Sequence, residues 1–456
     1  MTMKNQRPHI LLLIDDEHRP DIMPIEGDPH IRTPTLDRFI NQGTYFRNAY
    51  TASPVCIPSR QCFLSGRYPE NCGCRVHGVP MPSEIATIPG HLSRYGYRAA
   101  GAGKMHFANG PDQMHGFHER IGRDIRGRNG YERADDPGAP PPAMPEQGTG
   151  KWPQIKEITN ARAGKSSWMR QDEYSVDGAL MYLDEFFVDP THDRPGNGPL
   201  IMAVSLNVPH YPFQCPEELF TYYMQRVRPR VEALPENFEC NDYFKVKIGE
   251  DVTHREAHRA TSAYYGMIEW ADQQFGRVVK RLEELNVLED FIVIFLSDHG
   301  EMLGEKGLWE KQQYFDSSVR VPFFVSLPGQ FEVAQSVHEN VSLVDLFPTI
   351  CDLVDVPIPD GLDGRSLVPL IKGRSEGWRN EVYSELNHPE NGPSGMVKED
   401  HLKYFRFDGR DWPEQLFDLE SDPHENHNLI DDPVRAEDVD RLRAKLDVFM
   451  GNGNIS

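Results

Sequence analysis

A chain of 456 residues can bury a sizeable core, and 38% apolar with 26% charged residues is the balance of a globular enzyme, not of a disordered or membrane-spanning protein. The net charge of −22 is spread along the chain without a basic run, which excludes nucleic acid as a partner, because phosphate neutralisation needs clustered Lys and Arg. Seven cysteines at irregular spacing form neither a disulfide framework nor a zinc set, and the apolar run at 10–14 is too short for a secretory leader, so a cytoplasmic protein without membrane attachment is expected.

In chain order, "HILLLI" (9–14) predicts a strand that ends in Asp15 and Asp16. "TPTLDRFINQG" (33–43) predicts a helix with Thr33 as N-cap, Pro34 at the first position and Gly43 as the stop. The segment "VCIPSRQCFLSGR" (55–67) places a thiol at the mouth of a helix with an arginine four residues on. "YRAAGAG" (97–103) and "LIMAVSL" (200–206) predict further strands, the first followed by Lys104 and His106. Between them, residues 122–170 are polar and rich in Gly, Pro and Arg, too long for a simple connection and expected to be either mobile or a lid. Apolar positions from Ala260 to Leu282 repeat at helical spacing, giving one long helix over about 253–288. It precedes the strand "FIVIFLS" (291–297), which ends at Asp298 and His299, and then the strand "PFFVSL" (322–327). After Lys372 short segments such as "LKYFRF" and "EQLFDL" predict a small antiparallel sheet. The alternation is that of an α/β protein with a large, mostly parallel mixed sheet, helices on both faces, and a small C-terminal antiparallel subdomain.

An open α/β sheet binds its ligand at the carboxyl edge, and two strands end there in acids. Adjacent carboxylates repel unless a proton or cation sits between them, so a divalent metal is the economical expectation for Asp15, Asp16, Asp298 and His299. The carboxylates favour Ca²⁺ or Mg²⁺ and the imidazole favours Mn²⁺. Taken alone, either acidic pair would serve equally well as a cap for the segment after it, and Cys56 as a small buried apolar side chain.

The segment Cys56-Ile57-Pro58-Ser59-Arg60 followed by "FLSGR" resembles the signature of the type I sulfatases, members of the alkaline phosphatase-like superfamily. It occurs in that family's order with "LLLIDD" before it and "GKMHF" (103–107), "NVPHYP" (207–212) and "SDHGEMLGEKGLWEK" (297–311) after it. The likeness runs on to "EQLFDLESDPHENHNL" and so spans nearly the whole chain; Ser65 stands where threonine is usual. The resemblance implies that Cys56 is converted to formylglycine and reaches one metal ion held by Asp15, Asp16, Asp298 and His299. Ca²⁺ is the foremost candidate, with Mn²⁺ and Mg²⁺ as alternatives. It further implies that Lys104, His106, His210 and Lys311 serve the sulfate and the leaving oxygen, and that Arg60 holds the formylglycine. A histidine after Asp298 is similar to the branch that contains choline sulfatases and phosphonate monoester hydrolases, although Asn207 departs from the choline-sulfatase pattern. The implied division is a catalytic domain over 1–375 with an insertion at about 122–170, and a C-terminal subdomain over 376–456.

The chemistry has its own logic. A hydroxyl or thiol that attacked a sulfate ester would itself become sulfated, whereas one hydroxyl of a hydrated aldehyde can attack while the other later expels sulfate by carbon–oxygen cleavage. The expected activity is therefore hydrolysis of a sulfate monoester, with His106 as base and His210 or Lys311 as acid at the leaving oxygen. Hydrolysis of a phosphonate monoester or phosphodiester with the same nucleophile is the nearest alternative, and a non-catalytic anion-binding protein with unmodified Cys56 the next. A small organosulfate or sulfated sugar and a formylglycine-generating enzyme are the expected partners. No long apolar stripe demands an obligate partner, and self-association stays open.

Overall fold

Every residue of the run 10–14 is buried in the computed structural model, which describes residues 7–107, 113–122, 152–188, 198–230, 245–327, 335–388, 392–409 and 411–452. Successive strand side chains point to opposite faces, so a run apolar at every position needs cover on both. Leu11 and Leu13 pack with Ala260, Tyr264, Met267 and Phe275, whereas Ile10, Leu12 and Ile14 pack with Phe63, Leu92 and Leu346. This strand, β1 (His9–Asp15), lies inside an eight-stranded sheet.

The later strands are β2 (Gly43–Tyr50), β3 (Arg98–Gly103), β4 (Glu119–Ile121), β5 (Arg162–Ala163), β6 (Leu200–Ser205), β7 (Gln214–Cys215), β8 (Phe291–Ser297), β9 (Phe323–Ser326) and β10 (Gln335–Ser342). The large sheet has the order β10-β2-β9-β8-β1-β6-β3-β4, and β5 pairs with β7 apart from it. Among its described pairs only β9 runs against its neighbours, and the rest are parallel. The mostly parallel mixed sheet expected from the sequence is therefore present, and the carboxyl ends of β1, β2, β3, β6 and β8 share one edge. A second, antiparallel sheet joins β11 (Glu381–His388), β12 (Gly392–Glu399), β13 (Leu402–Phe407) and β14 (Gln415–Asp418). Tyr383, Val397, Tyr404 and Leu416 of this sheet share a core with Leu442 and Phe449 of the helix Ala436–Asn452. Ile57 and Cys62 of the helix Cys56–Ser65 belong to the same core, so the small sheet backs the helix that presents Cys56.

Two helix ends differ from expectation. The first helix is Pro34–Ile40 and stops at Asn41. Gly43 instead opens β2, where a side-chain carbon would come 2.6 Å from Val325 O and 2.9 Å from Phe39 O. The long helix is His254–Glu284, started by a reciprocal Thr253–Glu256 capping box and ended at Leu285, because Leu288–Asp290 forms a separate tight turn. Of the expected insertion, 123–151 lie outside the described residues, and its remainder contributes to the helices Trp152–Thr159 and Ser167–Phe187. Among the described residues no helix is long and apolar enough to cross a membrane.

Gly103 shows how tightly the functional edge is built. Its φ is +84°, and a Cβ there would stand 2.0 Å from Ser205 O, the same oxygen that accepts the Lys104 N–H at 2.9 Å. Gly103→Ala is therefore expected to lower stability by about 2 kcal/mol or more through left-handed strain and this clash. Urea unfolding checks it; a variant as stable as the parent would contradict the expectation.

Candidate active site

Cys56 opens a ten-residue helix in which every side chain is buried, with extended Val55 as its N-cap. Its Sγ lies 3.1 Å from His299 Nε2 and 3.9 Å from Asp16 Oδ1. Burial first, and then the charge of Asp16, pushes the thiol up to about 12, although Lys104 and Lys311 pull the other way. At neutral pH this is a protonated thiol and a poor nucleophile.

One turn on, the Arg60 guanidinium carries five N–H donors, and each has an acceptor. Nε donates to Asp298 Oδ2 (2.7 Å), Nη1 to Lys104 O (2.7 Å) and Ser205 Oγ (2.9 Å), and Nη2 to Asp16 Oδ2 (3.0 Å) and Asp15 O (3.4 Å). Burial opposes its charge, but Asp298 and Asp16 outweigh burial and hold Arg60 above its usual range. Arg60 thus binds the ends of β1, β3, β6 and β8 together, and none of these donors goes to Cys56.

The ligand atoms of Asp16, Cys56, Asp298 and His299 all lie within 4.8 Å of one another. His299 Nδ1 lies 3.0 Å from Gly300 O; a carbonyl only accepts, so Nδ1 carries a proton and Nε2 is the nitrogen turned toward the cluster. Burial would raise Asp16, yet Lys104, with Arg60, holds it well below the usual carboxylate range. Asp15 is outside that group: its Oδ2 pairs with His18 Nδ1 at 2.6 Å, while Oδ1 is buried without a hydrogen-bond partner. Two carboxylates and an imidazole nitrogen, with an unpartnered carboxylate oxygen on the adjoining residue, are a donor set that fits a divalent cation.

The cationic side of the site is as closely held. Lys104 Nζ is 2.5 Å from Asp16 Oδ2, and Asp16 outweighs burial to keep it charged. Lys311 Nζ donates to Glu17 Oε2 at 2.8 Å and lies 2.9 Å from His210 Nε2. Burial opposes that charge too, but Glu17 holds Lys311 well above its usual range. His210 Nδ1 donates to Tyr211 O at 2.8 Å, leaving Nε2 to accept from Lys311. Burial and then the Lys311 charge push His210 well below the usual imidazole value, and burial with Lys104 does the same to His106. Both rings are neutral at pH 7. The structure therefore brings Cys56, Lys104, His106, His210 and Lys311 around the Asp16–Asp298–His299 cluster, with Arg60 beneath.

Three neighbours of the candidate site carried no recognised signal in the sequence. Glu17, fully buried, is the third acid of "IDDEH". His77 is exposed, and its ring centroid lies 5.6 Å from that of His106. Asp172 accepts the N–H groups of Asn207 and Val208 and the Asn207 side-chain amide at 2.7–3.2 Å, so Asn207 is a fixing point for the loop that carries His210. His118 Nδ1 accepts the Ala99 N–H of β3 at 3.0 Å, the His115 carbonyl accepts from Thr87 Oγ1 at 2.6 Å, and Ser65 Oγ donates to Cys62 O at 3.3 Å.

Known proteins resemble the chain over nearly its whole length. The family profile described as Sulfatase matches residues 8–356, and one described as N-sulphoglucosamine sulphohydrolase, C-terminal, matches 304–450. The chain is 31% identical to a choline-sulfatase of Rhizobium meliloti, covering 98% of this chain and 87% of that protein. It is also 31% identical to an arylsulfatase of Clostridium perfringens, covering 96% and 94%. The phosphonate monoester hydrolase structure of Agrobacterium radiobacter superposes with a TM-score of 0.76 over 96% of each chain at 23% identity, a likeness of fold.

Arg60→Met keeps the bulk and removes the charge that faces Asp16 and Asp298. Removing one partner of a buried ionic set leaves the other uncompensated, so the metal-stripped variant is expected to lose about 3–5 kcal/mol. Urea unfolding in chelator measures this, and a loss below about 1 kcal/mol would show that Arg60 does not hold the site together.

Proposed function

The chain belongs to the sulfatase family of sulfuric ester hydrolases, and from that premise we propose that Cys56, matured to formylglycine, is the nucleophile with which it hydrolyses a sulfate monoester to an alcohol and inorganic sulfate. The observation that carries this is the state of Cys56: a thiol kept protonated by burial and Asp16, yet set among potential metal ligands and two buried lysines. As a thiol the residue is inert there. As an aldehyde hydrate it supplies one hydroxyl to attack sulfur and a second to release sulfate, so no second attack at sulfur is needed.

Asp16, Asp298, His299 and matured residue 56 would hold a divalent cation, with Asp15 beside them. Calcium suits the carboxylates, with Mn²⁺ and Mg²⁺ as alternatives. Such an ion supplies Lewis acidity, lowering the pKa of the attacking hydroxyl. Lys104 and Lys311 bring fixed positive charge to a sulfate that enters a site already holding carboxylates, a preorganised electrostatic contribution that needs no rearrangement during reaction. His106, neutral because burial and Lys104 disfavour its charge, is the base for the proton at residue 56. At the leaving oxygen, Lys311 is favoured over His210, since His210 is neutral, commits Nδ1–H to Tyr211 O and turns Nε2 to Lys311. Arg60 acts indirectly, through Asp16, Asp298 and the Lys104 backbone.

We assign residues 1–375 to the catalytic domain and 376–456 to a C-terminal subdomain that supports the helix of Cys56. The alcohol is that of a small organosulfate or sulfated sugar, and a formylglycine-generating enzyme is the maturation partner.

Tryptic mass analysis of protein made in a host with the maturation machinery is expected to find residue 56 as the aldehyde or its hydrate; unmodified thiol throughout would remove the nucleophile. The same protein should hydrolyse an aryl sulfate faster than the matching aryl phosphonate monoester, and a large preference for the phosphonate would make the sulfatase assignment wrong. Chelator should abolish turnover and added Ca²⁺, Mn²⁺ or Mg²⁺ restore it.

The pH profile depends on the histidine. A base works only when unprotonated, and the pKa of His106 lies well below the ordinary imidazole value of 6.5. The acid limb of kcat/KM is therefore expected below that pH, with activity level through it. An acid limb at or above it would exclude His106 in this environment as the base.

A further inference from the structure

Glu17 lies at the junction of the metal-ligand cluster and the leaving-group side. Its side chain is fully buried and its φ is +69°, a left-handed conformation that a glutamate adopts only when its surroundings impose it. Three contacts impose it here. The Glu17 N–H donates to Asp298 Oδ1 at 3.1 Å, its carbonyl accepts from Tyr264 O–H at 2.5 Å, and the next residue's N–H donates to Ser297 Oγ at 2.9 Å. With the backbone pinned on three sides, Glu17 Oε2 stands 2.8 Å from Lys311 Nζ and 3.3 Å from His210 Nε2.

An ammonium has three N–H donors and a flexible four-carbon stem. For Lys311 two acceptors are in place, Glu17 Oε2 and His210 Nε2, which leaves one N–H whose direction the other two determine. Lys311 is only 4% exposed, so without a carboxylate beside it the ammonium would be a buried charge facing a neutral ring.

We propose that Glu17 is a positioning residue for the leaving-group acid: its carboxylate fixes the Lys311 ammonium against His210 so that the remaining N–H is presented to the leaving oxygen of the ester. This rests on the sulfatase assignment made above and names a residue outside its set. As the sulfur–oxygen bond breaks, its electron pair stays on the leaving oxygen, which takes a proton from Lys311 Nζ, and the amine later regains one from water. Glu17 acts only through its contact with Lys311.

The test compares Glu17→Gln and Glu17→Ala with the parent on an alkyl sulfate, whose alkoxide needs a proton to leave, and on 4-nitrophenyl sulfate, whose phenolate does not. General-acid assistance contributes about 10²- to 10⁴-fold, so Glu17→Ala should lose on that order in kcat for the alkyl sulfate and at least about tenfold less for the aryl sulfate. Glu17→Gln, which keeps an acceptor oxygen, should fall between. In a Lys311→Met background Glu17→Gln should cost little more, because the two act through one contact. Equal losses on both substrates, additive losses with Lys311→Met, or a loss that tracks reduced metal content would overturn the proposal. Crystal structures of the parent and Glu17→Ala give an arm independent of turnover: Lys311 Nζ is expected to leave hydrogen-bond reach of His210 Nε2, and an unmoved Lys311 overturns the proposal. A parent protein that turns over neither sulfate overturns the sulfatase assignment alone.

Discussion

One guanidinium holds the functional edge of this protein together. The parallel strands β1, β3, β6 and β8 bring their carboxyl ends to the same edge, but parallel pairing alone does not decide how closely the residues beyond those ends approach. Arg60 does, by donating to Asp15 O, Asp16, Lys104 O, Ser205 Oγ and Asp298 at once. Its planar fork of donors explains why lysine could not serve. Because the fork is saturated by the frame of the site, Arg60 is a keystone under the candidate site, and its proposed part in the chemistry is through what it holds.

The same arrangement resolves an electrostatic difficulty. Asp15, Asp16, Glu17 and Asp298 crowd a volume from which water is nearly excluded, and buried charges are tolerated only when paired. Arg60 and Lys104 supply the pairing for Asp16 and Asp298, and Lys311 that for Glu17, each held charged against burial by a neighbouring acid, whereas Asp15 pairs with His18 and burial pushes Asp15 and Glu17 upward. The thiol at position 56 and the rings of His106 and His210 are pushed to their neutral forms. Strain accompanies this crowding: Glu17, His106, Glu310 and Gln312 all have positive φ, the last two directly flanking Lys311.

What could be read from the chain had local causes. Strands buried on both faces write themselves as unbroken apolar runs, so β1, β3, β6, β8 and β9 were legible. Those with polar faces, such as "GTYFRNAY" of β2 and "QSVHENVS" of β10, were not. The candidate site residues were legible because each sits in a short motif near an element end, in a recognisable order. Glu17, His77 and Asp172 were not, because their meaning lies in partners remote in sequence: Lys311 for Glu17, His106 for His77, and Asn207 for Asp172. The saturation of Arg60 was hidden for the same reason, since no spacing rule announces that four strand ends will meet one side chain.

The helix Cys56–Ser65 has no exposed residue; Ser59 Oγ donates to Asp298 O at 2.6 Å and accepts from Thr51 at 2.9 Å. Under the maturation proposed above, a second protein that oxidises the Cys56 thiol would find no handle on the finished molecule. The encounter would belong to the interval between synthesis and collapse. Competence would then be settled by a race: a chain that folds first would close over an inert sulfur, and a chain that is met first would carry its reactive carbonyl into the closing core.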